Sequence, residues 1–547
     1  MELRILLLLA LAGCATAPPR HDTGPAPHMV AAPESLAALE GARVLREGGN
    51  AADAAVCVGF VLAVTHPQAG NLGGGGFLLI HTRDDDVVID ARETAPAAAT
   101  AGMYLDRNGD VRPEASLVGP LASGVPGSVA GYEALHRLMG TKSWTRLLAP
   151  AIRLAEEGFE VDAGLHASLE RSKKLLGRQA ETASIFLSKG RVPPVGSTLR
   201  QPALAATLRR IAEEGSSGFY TGPVARKIVE ICRRDGGIIT MEDLKEYRVR
   251  IREPVRGTFS GYEVLTMPPP SSGGVVMLEM LGMLDELGFM SGFPDLWLHA
   301  FAECGRRAFA DRAAYFGDPD FVEVPVEQLL ERDYLLRRAR DIDPEKATPS
   351  ASVRGGLAEE SEETCHFSIV DVHGNAVACT TTLNGSFGCG ASAAGVLLNN
   401  EMDDFTSKPC APNLYGLIQS ARNAIEPGKR PLSSMTPTIL LEGNRPALVL
   451  GSPGGPTIIS TVCQVILNKM LRQMDLQEAV DAPRIHHQWL PDKIFHEPLD
   501  AKLAAALRRR GHTLQERRAM GDVQAIASVP GGWVGASDPR GRGRTAW

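Results

Sequence analysis

The sequence has no excess of basic charge. Its 57 Lys and Arg are outnumbered by 64 Asp and Glu, for a formal net charge of −7. A nucleic-acid binder shows the opposite imbalance, so nothing in the charge points to DNA or RNA. No internal apolar run reaches the ~18 residues that suggest a membrane-spanning helix. No cysteine spacing is a CxxC metal pair, and no HExxH is present. The Gly73–Gly76 run and the Gly451-Ser452-Pro453-Gly454-Gly455 segment fit neither GxGxxG nor GxxxxGK[ST], which argues against a nucleotide loop. His486 and His487, taken with His366 or His496, are metal-ligand residues by type. Adjacent histidines in a strand point to opposite faces, so structural histidines, no metal and no cofactor are expected. No internal repeat is visible.

What is present is an ordinary globular composition, 44% hydrophobic and 22% charged, on 547 residues. That length suggests two or three domain-sized units. Ile5 to Leu11 is a short apolar run behind Arg4, too short to cross a bilayer. It ends in Leu11-Ala12-Gly13-Cys14, which resembles a bacterial lipobox; the alternative is an ordinary signal peptide that contains a cysteine. Residues 1–14 are expected to be a lipoprotein-type signal segment with Cys14 as the lipidated residue. Ala15 after it, rather than Asp, directs such a lipoprotein by analogy to the outer membrane, on the periplasmic side of the cell envelope. Residues 15–27 form a Pro-rich tether. Eight further cysteines are an even count that permits disulfides in an exported chain. A chain this long buries a core without staples, so buried free thiols are expected instead.

Order is expected from His28. Ser35 is the expected cap of a helix running to Gly48-Gly49, and Asn50 of the next, Ala51 to Val64. Phe77 to Ile80 and Val87 to Ile89 read as short buried strands around the acidic turn Asp84 to Asp86. Residues 120–260 read as mostly helical. Met267 to Gly274 is a rigid turn before another helix. Residues 345–363 are polar, small and acidic, as an exposed mobile linker would be.

Strands begin directly after that linker. Thr364 to Asp371 alternates polar and apolar residues, as a half-buried strand should. Val372-His373-Gly374 reads as a three-residue hairpin loop, with Gly374 in the left-handed conformation. If Asp371 pairs with Asn375, the numbers of each cross-strand pair sum to 746, and Thr364 lies opposite Thr382. Two hydroxyls facing each other across a hairpin can hydrogen-bond. A threonine hydroxyl becomes a useful nucleophile beside a base. Cleavage before the threonine supplies one, the new N-terminal amine. The bland alternative is that threonines such as Thr380 to Thr382 are simply good strand formers.

The segments ETCHFSIVDVHGNAVACTTTLN, LLNNEMDDF, GKRPLSSMTPTI, GSPGG and PRIHHQWLPD resemble, in order, the small-subunit signature of the γ-glutamyltransferases. Upstream, GGNAADAAV, VTHPQAGNLGGGGF, IDARETAP and MPPPSSGG resemble the large subunit. The resemblance runs from about residue 28 to Pro539. It implies an α+β fold, the N-terminal-nucleophile αββα sandwich, made by self-cleavage of one precursor. Residues 28–363 would form the large subunit and 364–547 the small catalytic one.

Carried over by position, Thr364 is the nucleophile and Glu363-Thr364 the bond that is cut. Thr382 holds the Thr364 hydroxyl. Gly454 and Gly455 offer backbone N–H groups to the oxyanion, where glycine permits close approach. Arg92, Ser433 and Ser434 hold the α-carboxylate of a γ-glutamyl group, and Asn384, Glu401 and Asp404 its α-ammonium. Tyr415 gates the pocket from a lid loop of the bacterial type. The substrates implied are glutathione and other γ-glutamyl compounds, with water, amino acids or dipeptides as acceptors. Three positions depart from the family pattern: Cys365 where Thr is usual in bacteria, Glu401 where many bacterial members carry Gln, and Pro456-Thr457 in place of Ser-Arg. Cys365 should point to the face opposite Thr364. Two rivals are a sibling acylase acting on cephalosporin side chains or poly-γ-glutamate, and a non-catalytic envelope binding protein.

Overall fold

The computed structural model describes residues 24–288, 293–353, 364–406, 408 and 420–547. Cys14, most of the tether, Glu363, Cys410 and Tyr415 therefore lie outside the described residues.

Two antiparallel sheets stack face to face. The first runs in the order Arg544–Ala546, Met29–Ala32, Cys365–Val370, Ala376–Thr382, Gly75–His81, Asp86–Ala91, Arg250–Arg252. The second runs Gly532–Ser537, Gln524–Val529, Arg445–Gly451, Thr438–Glu442, Tyr262–Thr266, Val255–Phe259. The period-2 alternation of strand side chains sorts residues between two cores. Leu78 and Ile80 join the core under helices Ser35–Arg46 and Ala51–Thr65. Phe77 and Leu79 join the core between the sheets, which continues to helices Gly273–Leu287, Pro294–Tyr315 and Thr457–Ile466. The layers are thus α, β, β and α, as the family resemblance implies.

A central strand of a sheet covered on both faces is buried on both sides. Cys365–Val370 is buried throughout, where its alternating pattern predicts one exposed face. Cys365, Phe367 and Ile369 pack on the helix side. The polar His366 and Ser368 are buried on the other face and bond to one another and to their neighbours. The His366 ring lies 2.8 Å from the Thr380 hydroxyl and 3.1 Å from that of Ser368. Ser368 donates to the Gln524 carbonyl of the second sheet at 3.0 Å. These bonds replace water for buried polar groups. Burial pushes the imidazole down to about 3, so it stays neutral. A Cβ on Gly451 would come within 2.4 Å of that ring, so a glycine leaves the room it needs.

The hairpin register matches its expectation. Val370 pairs with Ala376 and Cys365 with Thr381, both sums being 746. The Asp371 N–H donates to the Asn375 carbonyl at 3.0 Å, and Gly374 has φ +83°. Asn50 caps its helix in a reciprocal box with Asp53. Ser35 does not cap: Glu34 does, its carboxylate accepting from the N–H groups of Leu36 and Ala37 and from the Thr65 hydroxyl. That helix ends at Arg46. The 120–260 stretch is helical as expected up to Glu246, then gives strands to both sheets.

The sequence on either side of residue 364 does not form separate units. Gly75–His81 pairs with Ala376–Thr382, and Tyr262–Thr266 with Thr438–Glu442. Met29–Ala32 lies between Cys365–Val370 and Arg544–Ala546. Each sheet is woven from both segments. The polar stretch from 345 is docked as far as Val353. Trp489 donates its indole N–H to the carbonyls of Ser350 and Val353, and Asp492 accepts from the Ser350 N–H at 2.7 Å. The seven described cysteines other than Cys14 and Cys410 are buried free thiols.

Candidate active site

Thr364 sits one residue before the strand Cys365–Val370, and the register places it opposite Thr382. Alternation turns its side chain to the same face as His366, towards the second sheet. There the strand Arg445–Gly451 enters helix Thr457–Ile466 through the turn that contains Gly454 and Gly455. The Gly454 N–H donates to the Thr364 hydroxyl oxygen at 3.2 Å. Both glycines have left-handed backbone, φ +130° and +50°, which a side chain would strain. Thr457, in the departure Pro456-Thr457, fixes the turn: its hydroxyl donates to the Gly454 carbonyl at 2.7 Å.

The expected bond between the Thr364 and Thr382 hydroxyls is not formed among the described residues. The Thr382 oxygen instead accepts from the Asn384 N–H at 2.7 Å. That bond tightens a turn in which Asn384 has φ +69°. The Asn384 amide then donates to the Asn400 carbonyl at 3.0 Å.

Arg92 follows the strand Asp86–Ala91 and is 1% exposed. Its guanidinium does not stand open. One nitrogen meets Glu401, another donates to Asp404 at 2.5 Å, and Nε donates to the Pro431 carbonyl at 3.2 Å. Glu401 and Asp404 lie together on one 3₁₀ turn, which aims both at Arg92. The cationic and anionic arms of the expected clamp are therefore paired with each other. Burial pushes the Glu401 carboxyl well above the usual carboxylate range and Asp404 up as well, while Arg92 opposes both shifts. One Glu401 oxygen is buried with no hydrogen-bond partner. Glu93, beside Arg92, is pushed up by burial to about 7.

One small, tight cavity of about 20 Å³ is lined by Arg92, Arg312, Thr364, Thr382, Asn384, Glu401, Asp404, Leu432, Ser433, Ser434, Met435, Gly455 and Ile458. Every described catalytic or binding candidate from the sequence lines it, except Gly454, which bonds Thr364. Residues from both sides of residue 364 converge on this one space, those of the later segment from the chain flanking the second sheet.

The gamma-glutamyltranspeptidase family profile matches residues 37–547. The chain is 45% identical over 526 residues to the glutathione hydrolase proenzyme of Escherichia coli (strain K12), covering 94% of this chain and 90% of that protein. It is 47% identical over 474 residues to that of Pseudomonas sp. (strain A14), covering 85% and 82%. The chain belongs to the gamma-glutamyltranspeptidase family. Among solved structures, the cephalosporin acylase from Bacillus halodurans superposes with a TM-score of 0.85 at 29% identity, covering 99% of each chain. This family member is an enzyme of the N-terminal-nucleophile hydrolase type.

Arg312 lines the gamma-glutamyltranspeptidase cavity but was not among the sequence candidates. It sits in helix Pro294–Tyr315 beside Glu303, Arg306, Arg307 and Asp311, all of them buried. Only its burial against Ser434 marks it out, and burial of a charged helix is not written in a sequence pattern. One buried group, His299, Glu303 and His512, has the residue types of a metal site. Its atoms already bond one another or neighbours. The two imidazoles are 2.7 Å apart, and the Glu303 carboxylate accepts from Arg306, Arg307 and the Thr348 N–H. His486 and His496 are also engaged, with the Ser460 hydroxyl and the Glu497 carbonyl, each at 2.8 Å.

Proposed function

We propose that this chain is a self-processing γ-glutamyltransferase that cleaves glutathione and related γ-glutamyl compounds. The observation that carries this reading is the juxtaposition, in one cavity bordered by Thr364, of a buried guanidinium, two buried carboxylates and a serine pair. That set matches a free α-amino acid head. The carboxylate joins Arg92 and the Ser433-Ser434 pair, and the ammonium donates to Asp404 and to the open Glu401 oxygen.

In the precursor, the Thr364 hydroxyl attacks the Glu363 carbonyl and forms an ester by N-to-O acyl shift. Water opens the ester, leaving a Glu363 carboxylate and a free Thr364 amine. That amine then serves as base while the same hydroxyl attacks the γ-amide. The Gly454 N–H, already on the Thr364 hydroxyl, and that of Gly455 stabilise the oxyanion. Cys-Gly or an amine leaves, and the γ-glutamyl ester passes to water, an amino acid or a dipeptide. Cleavage leaves the subunits 28–363 and 364–547 associated, because each sheet contains strands of both. Tyr415 gates the pocket, and Cys14 carries the lipid that anchors the protein at the outer membrane.

The test is an assay with γ-glutamyl-p-nitroanilide, with and without Gly-Gly, on protein whose small band is sequenced from its N-terminus. The band should begin Thr-Cys-His-Phe, with activity present in wild type and absent in Thr364→Ala, which stays one chain. Thr364→Ser keeps a hydroxyl and should still cleave. A different start, or activity in Thr364→Ala, removes the mechanism. The likeness to a cephalosporin acylase favours a second reading, an acylase indifferent to the α-amino group. Equal cleavage of glutaryl-p-nitroanilide would select it.

A further inference from the structure

The buried arginines of this protein come with carboxylates. Arg92 has Glu401 and Asp404, Arg306 and Arg307 share Glu303, Arg430 faces Asp90, and Arg484 meets Asp538. Among the described residues Arg312 is the exception. It is 2% exposed. Its Nε donates to the Ser272 hydroxyl at 2.8 Å and its Nη2 to the Ser434 hydroxyl at 3.2 Å, both neutral acceptors. Its Nη1 is buried and has no hydrogen-bond partner. Burial pushes the guanidinium down to about 10, with Asp404 opposing the shift. It still carries its charge at neutral pH. A buried cation with no carboxylate in direct contact and one donor unbonded is costly, and such a group is kept where an anion arrives.

The anion has a place to arrive. Arg312 lines the same cavity as Thr364, Arg92 and Ser434. Arg92 is already satisfied by two acids, so it alone cannot neutralise a third. With Arg312 included, two guanidiniums stand against Glu401, Asp404 and Glu93, and a zwitterionic head adds no net charge to that set. Ser434 accepts from Arg312, which frees its own proton to donate outward.

We propose that Arg312 is a second arginine of the substrate site, its free Nη1 binding the α-carboxylate of the γ-glutamyl group together with Ser434. Arg92 then acts as much to hold Glu401 and Asp404 in place as to bind the carboxylate. This inference rests on the γ-glutamyl reading above.

The test compares γ-glutamyl-p-nitroanilide with its α-carboxamide analogue in wild type, Arg312→Gln and Arg312→Lys. Wild type should strongly prefer the carboxylate. Arg312→Gln should mature normally and lose on the order of 10- to 100-fold of that preference, chiefly through KM, the range expected for a hydrogen bond to a charged group. Arg312→Lys keeps the charge and should retain part of the preference; it also serves if Arg312→Gln does not fold. Equal losses on both substrates, with the preference intact, would make Arg312 structural and overturn the proposal. Wild type inactive on both substrates would instead remove the γ-glutamyl reading itself, and this inference with it.

Discussion

Removing Arg92 tests the centre of the site. Its guanidinium holds Glu401 and Asp404, lies 3.6 Å from Glu93, and donates to the Pro431 carbonyl. Arg92→Ala takes this guanidinium away from all of these buried groups. Breaking a buried pair in this way costs ~3–5 kcal/mol when the remaining charge stays ionised. Here the carboxyls escape part of that cost by taking up protons, since burial already raises Glu401 and Asp404 with Arg92 present. Without Arg92 their folded values rise further above the unfolded ones. A carboxyl raised by folding binds more protons in the native state, so stability falls as pH increases through and above the ordinary carboxylate range. The destabilisation of Arg92→Ala should therefore be larger at mildly alkaline than at mildly acidic pH, read by thermal unfolding.

Activity should fall more than stability. Losing a buried charged partner costs ~2–5 kcal/mol of binding, or roughly 30- to 5,000-fold in kcat/KM. Self-cleavage should survive, because Arg92 makes no hydrogen bond to Thr364 among the described residues. The assay is γ-glutamyl-p-nitroanilide turnover beside a gel of the processed bands. A variant within about threefold of wild type in kcat/KM would refute the clamp, since an interaction worth that little is not holding the substrate.

Other residues give separate outcomes. Thr382→Val should leave the Asn384 N–H unpaired at a cost of ~1–3 kcal/mol and impair turnover, while Thr382→Ser restores both. Gly454→Ala places a Cβ within 2.5 Å of the Thr457 hydroxyl on left-handed backbone. It should slow self-cleavage and turnover together by ~10²–10³-fold, measured as band conversion and kcat; unchanged rates would take the Gly454 N–H out of the oxyanion site. Cys14→Ser should abolish lipid labelling and move the protein out of the membrane fraction; unchanged fractionation, with no label on the parent, counts against the lipobox.

Legibility in the sequence followed the range of the interactions. The hairpin register was readable because one loop glycine and one pairing fix every later pair. The Asn50 cap was readable because its partner Asp53 is three residues away. The Ser35 cap failed because Glu34 is also held by Thr65, a contact across two helices. The half-buried reading of Cys365–Val370 failed for a similar reason. Its polar face meets the Gln524 carbonyl and Gly451, both in the second sheet, so alternation there separates two interiors rather than core from water. The positions of the site residues came through the family resemblance. Their partners did not, and Arg312 did not come at all.

That failure is instructive about the clamp itself. Sequence reasoning sorted Arg92 to one end of the substrate and Glu401 with Asp404 to the other, as though each waited separately. In a dry cavity, opposite charges left apart are each expensive, and that expense falls when Arg92 closes on the two acids. The pairing is incomplete. One Glu401 oxygen is unpartnered, both acids are held above their usual range, and Arg312 has an idle donor. A substrate carrying both charges supplies what is missing, an ammonium for the acids and a carboxylate for Arg312. A ligand with only one of the two would repair one imbalance and worsen the other. On the proposed reading, selectivity for a free α-amino acid head follows from the charge balance of the whole cavity, and no single residue in it reads the substrate alone.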